Sequence, residues 1–130
     1  MNILINIFLI ILFLLILDGI WLNLFMIKKY KSIVYNIQGK ELKPKYIPAI
    51  LFYLIYSISI YYLILYNSKN LSNKEVFIKG FILGICAYAT YDLTNLAIFE
   101  KFDTTIAILD ILWGGIYTAV TCLIVKKIIN

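Results

Sequence analysis

The first apolar stretch of the chain, residues 3–27, reads ILINIFLIILFLLILDGIWLNLFMI, and its one charged residue is Asp18. Three further apolar stretches follow at residues 47–66, 76–99 and 104–125. Each has at least about 18 residues, and at about 1.5 Å rise per residue each can cross a hydrocarbon core about 30 Å thick as an α-helix. The sequence therefore predicts an all-α membrane protein, a compact bundle of four transmembrane helices.

The composition agrees with this prediction and excludes a soluble domain of the same size. Hydrophobic residues make up 63% of the 130 residues and charged residues only 15%, whereas the surface of a soluble domain needs many more polar side chains. A transmembrane β-barrel is excluded because its strands alternate apolar and polar residues, while these stretches are continuously apolar. No linker rich in Pro, Gly or Ser divides the chain, so residues 1–130 are predicted to form a single integral-membrane domain.

All 12 basic residues are lysines, and they lie toward the ends of the apolar stretches. We call the membrane face with the larger share of the lysines side B; its lysines are Lys28, Lys29, Lys31, Lys40, Lys43, Lys45 and Lys101. The other five lie toward the opposite face, side A. Because lysine-rich loops stay in the cytoplasm, the loop 28–46 is predicted to be cytoplasmic and both termini to be outside. Lysines in these positions set topology or contact anionic lipid, so the bilayer is the expected partner and no nucleic acid is expected.

Three of the apolar stretches carry one aspartate each, at Asp18, Asp92 and Asp110. Counted along the helices from their side-B ends, all three lie about 9 to 14 Å below the same membrane face. Tyr53 of the second stretch reaches a similar level. A carboxylate in hydrocarbon costs several kcal/mol unless it is protonated, paired or hydrated, so intramembrane acids mark function. We therefore predict that the three aspartates form one functional cluster.

Helical spacing places small and polar residues on one face of the third and of the fourth stretch. The face of the third stretch, at spacings of four, four, four and three residues, consists of Gly80, Gly84, Tyr88, Asp92 and Asn95. The matching face of the fourth stretch includes Asp110, Trp113 and Gly114. Since Gly-x-x-x-Gly permits close approach of helices, Gly80, Gly84 and Gly114 are predicted to be packing residues between these two helices.

The first and fourth stretches share a local Asp-x-x-Trp pattern, in Asp18 with Trp21 and in Asp110 with Trp113. The spacing of three residues places each tryptophan on the same helical face as its aspartate. Because the two predicted helices run in opposite directions, the shared pattern suggests an inverted relationship between them.

Four motifs cover most of the chain: LDGIWL at residues 17–22, PAILFYLIY at 48–56, GICAYATYDLTNLA at 84–97 and DILWG at 110–114. Together they resemble the small membrane proteins grouped as domain of unknown function 2177. The resemblance implies four spanning helices but no particular reaction. It also implies a family signature at Asp18, Trp21, Tyr91, Asp92, Thr94, Asn95, Asp110, Trp113 and Gly114.

The acids favour a site for a shared proton or a cationic ligand, because three carboxylates in one small layer cannot all be ionised without a compensating charge. The best specific hypothesis is proton- or cation-coupled transport of a small solute, and a chain of four helices would then form a homo-oligomer to enclose a path. The predicted ligand- or proton-binding residues are Asp18, Trp21, Tyr53, Tyr88, Tyr91, Asp92, Asn95, Asp110 and Trp113.

Two alternative functions remain open from the sequence, a membrane scaffold that binds a partner protein or lipid, and a lipid-modifying membrane enzyme. The enzyme is the less favoured class because the chain has no histidine, no nucleophile elbow and no phosphate-binding glycine loop. The sequence therefore predicts no cofactor and no metal site, and it identifies no catalytic residue.

Overall fold

The computed structural model describes residues 2–130, and their regular structure is helical. Its α-helices are α1 (Ile3–Trp21), α2 (Ile27–Gln38), α3 (Tyr46–Ile60), α4 (Asn73–Ile98) and α5 (Thr104–Ile129). A π-helical turn, Leu22–Met26, joins α1 to α2, and a second one, Tyr61–Leu65, extends α3. Four helical segments are long and apolar enough to cross a membrane: Ile3–Gln38, Tyr46–Leu65, Asn73–Ile98 and Thr104–Ile129. The predicted all-α bundle of four spanning helices is confirmed.

The structure differs from the sequence prediction after Ile27, where α2 continues the first helix to Gln38 through residues expected to form a loop. The physical reason is amphipathicity. Apolar residues of α2 recur every three or four positions, and Ile33 among them is buried beside Met26 and Ile106. The helix ends where Gly39 adopts φ 71°, a left-handed conformation that glycine accepts without strain. The loop to α3 is consequently shorter than predicted.

Side-chain caps fix the starts of α4 and α5. The hydroxyl of Ser72 accepts a hydrogen bond from the backbone N–H of Glu75, and the carboxyl of Asp103 accepts one from Ile106. Each cap satisfies a backbone donor that the first helical turn leaves free. As a result α4 begins at Asn73, before the first residue of the predicted segment.

The closest helix packing joins the antiparallel pair α4 and α5. A Cβ atom on Gly80 would lie 2.8 Å from the Cα of Ala119, and one on Gly84 would overlap the backbone of Gly114 and Gly115. A Cβ on Gly114 would in turn overlap the ring of Tyr88. Only glycine therefore fits at these positions, and the structure places all three predicted packing glycines in the seam between α4 and α5.

The helices are arranged so that α3 packs on α1, α1 packs on α5, and α5 packs on α4. The helix pair α3 and α4 is held together mainly at side A, where the turn Tyr61–Leu65 contacts α4. One apolar core, which includes Leu14, Ile60 and Val125, fills the side-A part of the bundle. A smaller one around Met26 lies near side B.

Candidate functional site

Asp18 of α1 connects three helices through its carboxyl group. The hydroxyl of Tyr53 on α3 donates a hydrogen bond to Oδ2, and the indole N–H of Trp113 on α5 donates one to Oδ1 at 3.1 Å. The side chain is partly buried. Because both donors come from other helices, these bonds fix the position of α1 relative to α3 and α5.

Asp110 of α5 is bound by a residue that the sequence analysis did not single out. The hydroxyl of Tyr30, on α2, donates a hydrogen bond of 2.5 Å to its Oδ1. Asp110 is 9% exposed, so its carboxyl is largely removed from the surroundings of the bundle. Tyr30 was missed because residues 28–46 were expected to be a loop. The signal that could have identified it is its position on the apolar face of α2, three residues before Ile33.

Asp92 of α4 is the most deeply buried of the three aspartates, with an exposed fraction of 1%. Its carboxyl lies near the carboxyl of Asp110, while its Oδ2 atom has no hydrogen-bond partner among the described residues. A buried carboxyl oxygen without a partner is costly. The Asp92 and Asp110 carboxyls therefore form a close acidic pair with unused acceptor capacity.

An aromatic stack connects the two Asp-x-x-Trp motifs. The rings of Trp21 and Trp113 are stacked with centroids 4.7 Å apart and planes 7° from parallel. Trp113 is stacked in turn on Tyr117, at 5.4 Å, and the hydroxyls of Tyr117 and Tyr88 share a hydrogen bond. These aromatic contacts thus run from α1 across α5 to α4 and place rigid apolar rings beside Asp18.

A groove of about 540 Å³ lies between α3 and α4. It is lined by Asp18, Ala49, Phe52, Tyr53, Ala87, Tyr88, Thr90, Tyr91 and Asp110. Its walls are aromatic and small residues, and its only charged side chains are Asp18 and Asp110. A ligand there would meet aromatic faces and carboxyl oxygens together.

A second cavity, of about 360 Å³, lies between α2 and the side-B half of α4. Asp92, Tyr91 and Asn95 line it from α4, and Tyr30 lines it from α2. Tyr91 and the bonded pair of Tyr30 and Asp110 therefore separate this cavity from the groove.

A family model described as "Predicted membrane protein (DUF2177)" matches residues 3–126 of the chain. The chain belongs to this family. The match confirms the resemblance found in the sequence, and it includes every residue of the groove and of the second cavity. Comparison with curated proteins and with solved structures gave no match.

The structure divides the predicted site residues of this DUF2177 protein among three places. Those that line the groove are Asp18, Tyr53, Tyr88, Tyr91 and Asp110. Asp92 and Asn95 line the second cavity, and Trp21 and Trp113 form the stack. The three acids thus do not share one cavity, although Asp110 lies near Asp92 and also lines the groove with Asp18. Among residues 2–130, no group of three or more acidic, histidine or cysteine side chains is placed to hold a metal ion.

Two residues of the implied family signature lie away from both the cavities and the stack. Thr94 is exposed, and its hydroxyl donates to the carbonyls of Thr90 and Tyr91 on its own helix. Gly114 lies in the packing seam against Tyr88.

Phe52 and Tyr117 were not predicted as site residues. Phe52 lies one turn from Tyr56, and that aromatic spacing of four is the signal that could have identified it.

Proposed function

We propose that this DUF2177 protein is a proton- or cation-coupled transporter, with the groove between α3 and α4 as its solute site. The observation that carries the proposal is that carboxyls from two different helices, Asp18 and Asp110, line one cavity within the spanning segments. Acidic residues inside a membrane face a ligand or a water-filled path far more often than lipid.

The charge balance of the groove favours a cationic occupant. No lysine lines it, so the carboxyls of Asp18 and Asp110 have no compensating charge from the protein there. At low dielectric two carboxylates repel each other strongly, and each is costly to desolvate. A proton or a bound cation has to supply the missing positive charge, and exchange of one for the other couples proton movement to solute movement.

The walls of the groove favour a solute with apolar as well as cationic groups. The rings of Phe52, Tyr53 and Tyr88 lie beside the carboxyls, and cations bind to the faces of aromatic rings. We therefore assign the solute to the class of small organic cations that carry an apolar part.

The test is uptake of ethidium, the probe for such a cation, into proteoliposomes with an imposed pH gradient. We expect Asp18→Asn and Asp110→Asn to lower the uptake rate about tenfold or more, because each removes a charge that the bound cation needs. The matched control is Glu75→Gln, which neutralises an exposed acid in the first turn of α4 outside the groove. This control should transport at the native rate.

Equal uptake by the native chain and by both groove variants, with helical content unchanged, would contradict the transport proposal. The same samples separate the two alternative functions. A scaffold requires that Asp18→Asn, Asp92→Asn and Asp110→Asn all leave the flux unchanged. A lipid-modifying enzyme requires that the lipids of the vesicles change with the native chain but not with Asp110→Asn.

A further inference from the structure

A basic pocket of about 510 Å³ lies at the side-B end of the bundle, between α2 and the start of α5. It is lined by Lys28, Lys29, Ser32, Ile33, Asn36, Lys101, Asp103, Thr105 and Ile106. None of these residues lines the groove between α3 and α4. The pocket is therefore a separate feature that the transport proposal does not use.

The charges around this pocket favour an anion. Three lysines line it against one acid, Asp103, whose Oδ1 accepts a hydrogen bond of 3.0 Å from the backbone N–H of Ile106. That carboxyl thus caps α5, and the ammonium groups of Lys28, Lys29 and Lys101 are in excess. Ser32, Asn36 and Thr105 add neutral hydrogen-bond donors. A phosphate group, with its several acceptor oxygens and negative charge, matches this set of donors.

The position of the pocket indicates where such a phosphate comes from. Lys28 and Lys29 follow directly on the first apolar stretch, and Lys101 precedes the fourth, so the pocket lies at the edge of the hydrocarbon region. Ile33 and Ile106 in its lining are buried with Met26 in the smaller apolar core. A pocket with ammonium groups and apolar side chains at this level suits a lipid headgroup, since free phosphate has no part for the apolar lining to contact.

We propose that this pocket binds the phosphate of an anionic lipid headgroup, with Lys28, Lys29 and Lys101 as its cationic ligands. The proposal concerns the surface of the bundle at side B. It stands whether or not the groove transports a solute.

Native mass spectrometry of the full chain in a non-ionic detergent tests this assignment by titration with phosphatidylglycerol and, separately, with phosphatidylcholine. We expect the native chain to bind phosphatidylglycerol more tightly than phosphatidylcholine. The double variant Lys28→Gln and Lys101→Gln should bind phosphatidylglycerol about 25-fold more weakly, because each basic residue near a lipid phosphate contributes about fivefold.

The matched control removes the same charge from side A with Lys74→Gln and Lys127→Gln, both exposed. It should retain the native affinity for phosphatidylglycerol, and so should Lys28→Arg with Lys101→Arg, which keeps both charges. Equal losses in the two Gln double variants would overturn the proposal in favour of diffuse attraction by net charge. Displacement of phosphatidylglycerol by millimolar inorganic phosphate would overturn the lipid as the source of the phosphate.

Discussion

The substitution Gly84→Ala tests whether the seam between α4 and α5 is as tight as the structure has it. The new Cβ would lie 2.8 Å from the Cα of Gly115, where ordinary van der Waals contact begins at 3.4 Å, and it would also overlap the carbonyl of Gly114. Both obstructions are backbone atoms that cannot rotate away. The two helices must therefore separate by at least 0.6 Å, the difference between 3.4 and 2.8 Å.

The expected cost follows from how helices associate in a bilayer. Lipid is as apolar as the side chains, so van der Waals contact and hydrogen bonds supply most of the attraction between helices. A gap of 0.5 to 1 Å forfeits about a quarter to a half of the attraction of each atom pair that it separates. Because Gly80 and Gly114 share the seam, their contacts loosen as well. We expect Gly84→Ala to lower the free energy of unfolding by about 2 to 3 kcal/mol, the upper part of the usual overpacking range.

Unfolding in bicelles by added dodecyl sulfate, followed by circular dichroism, measures this free energy. The control is Gly19→Ala on α1, where a Cβ would meet nothing within 4 Å. It should leave the free energy of unfolding unchanged or raise it by up to about 1 kcal/mol, because alanine favours a helix more than glycine does. If Gly84→Ala and Gly19→Ala have the same stability, the close contact between α4 and α5 does not exist as described.

Two further predictions follow from the stack and from the lysines. Trp113→Phe removes the indole N–H that bonds Asp18 and puts a smaller ring against Trp21, so it should destabilise the bundle by about 1 to 2 kcal/mol. It should also abolish the exciton circular dichroism of the tryptophan pair, and an unchanged exciton signal would show that the two indoles do not stack. The excess of lysines at side B predicts that residues 28–46 are cytoplasmic and the C-terminus outside. Alkaline phosphatase fused after Asn130 should therefore be active and the same enzyme fused after Gly39 inactive, and the reverse pattern would show the opposite topology.

The spanning helices could be predicted because the bilayer fixes how long an apolar stretch must be. Depth could be predicted for the same reason: a count along the antiparallel helices places Asp18 and Tyr53 at a similar level, and the structure joins them by a hydrogen bond. Rotation of the first helix about its axis could not be read from the sequence. The first stretch is apolar on all sides, so nothing in it specifies that Tyr53 and Trp113, rather than other donors, meet Asp18.

The lysines of α2 are the reason that this helix, and with it Tyr30 as the partner of Asp110, was not predicted. Lys28, Lys29 and Lys31 interrupt the apolar run, and a criterion based on continuous hydrophobicity ends the helix before them. Amphipathic periodicity, which does not require a continuous run, carries the helix to Gln38 and places Tyr30 against the bundle. The separation of Asp92 from the groove was likewise not predictable, because it depends on Tyr30 and Tyr91 lying between the two cavities.

The two Asp-x-x-Trp motifs make different contacts in the structure. An ideal two-fold relation between α1 and α5 would have Trp21 donate to Asp110 as Trp113 donates to Asp18. Instead the buried Nε1 of Trp21 has no partner among the described residues, and Tyr30 bonds Asp110. The π-helical turn Leu22–Met26 starts directly after Trp21 and changes the helical face on which Tyr30 lies. Such turns are frequent at functional sites.

Asp18 and Asp110, the two acids of the groove, therefore accept different numbers of hydrogen bonds. A carboxylate offers about four acceptor sites, of which Asp18 uses two, for Tyr53 and Trp113, and Asp110 uses one, for Tyr30. Asp110 also has a second carboxyl, that of Asp92, at its side. On the transport proposal, Asp110 is therefore the acid with free capacity to exchange a proton for a cation, while Asp18 holds the helices in place and contributes charge. Asp92→Asn leaves the Asp18 bonds intact and should alter the pH dependence of ethidium uptake more than its affinity, whereas a change in affinity alone would place the exchange at Asp18.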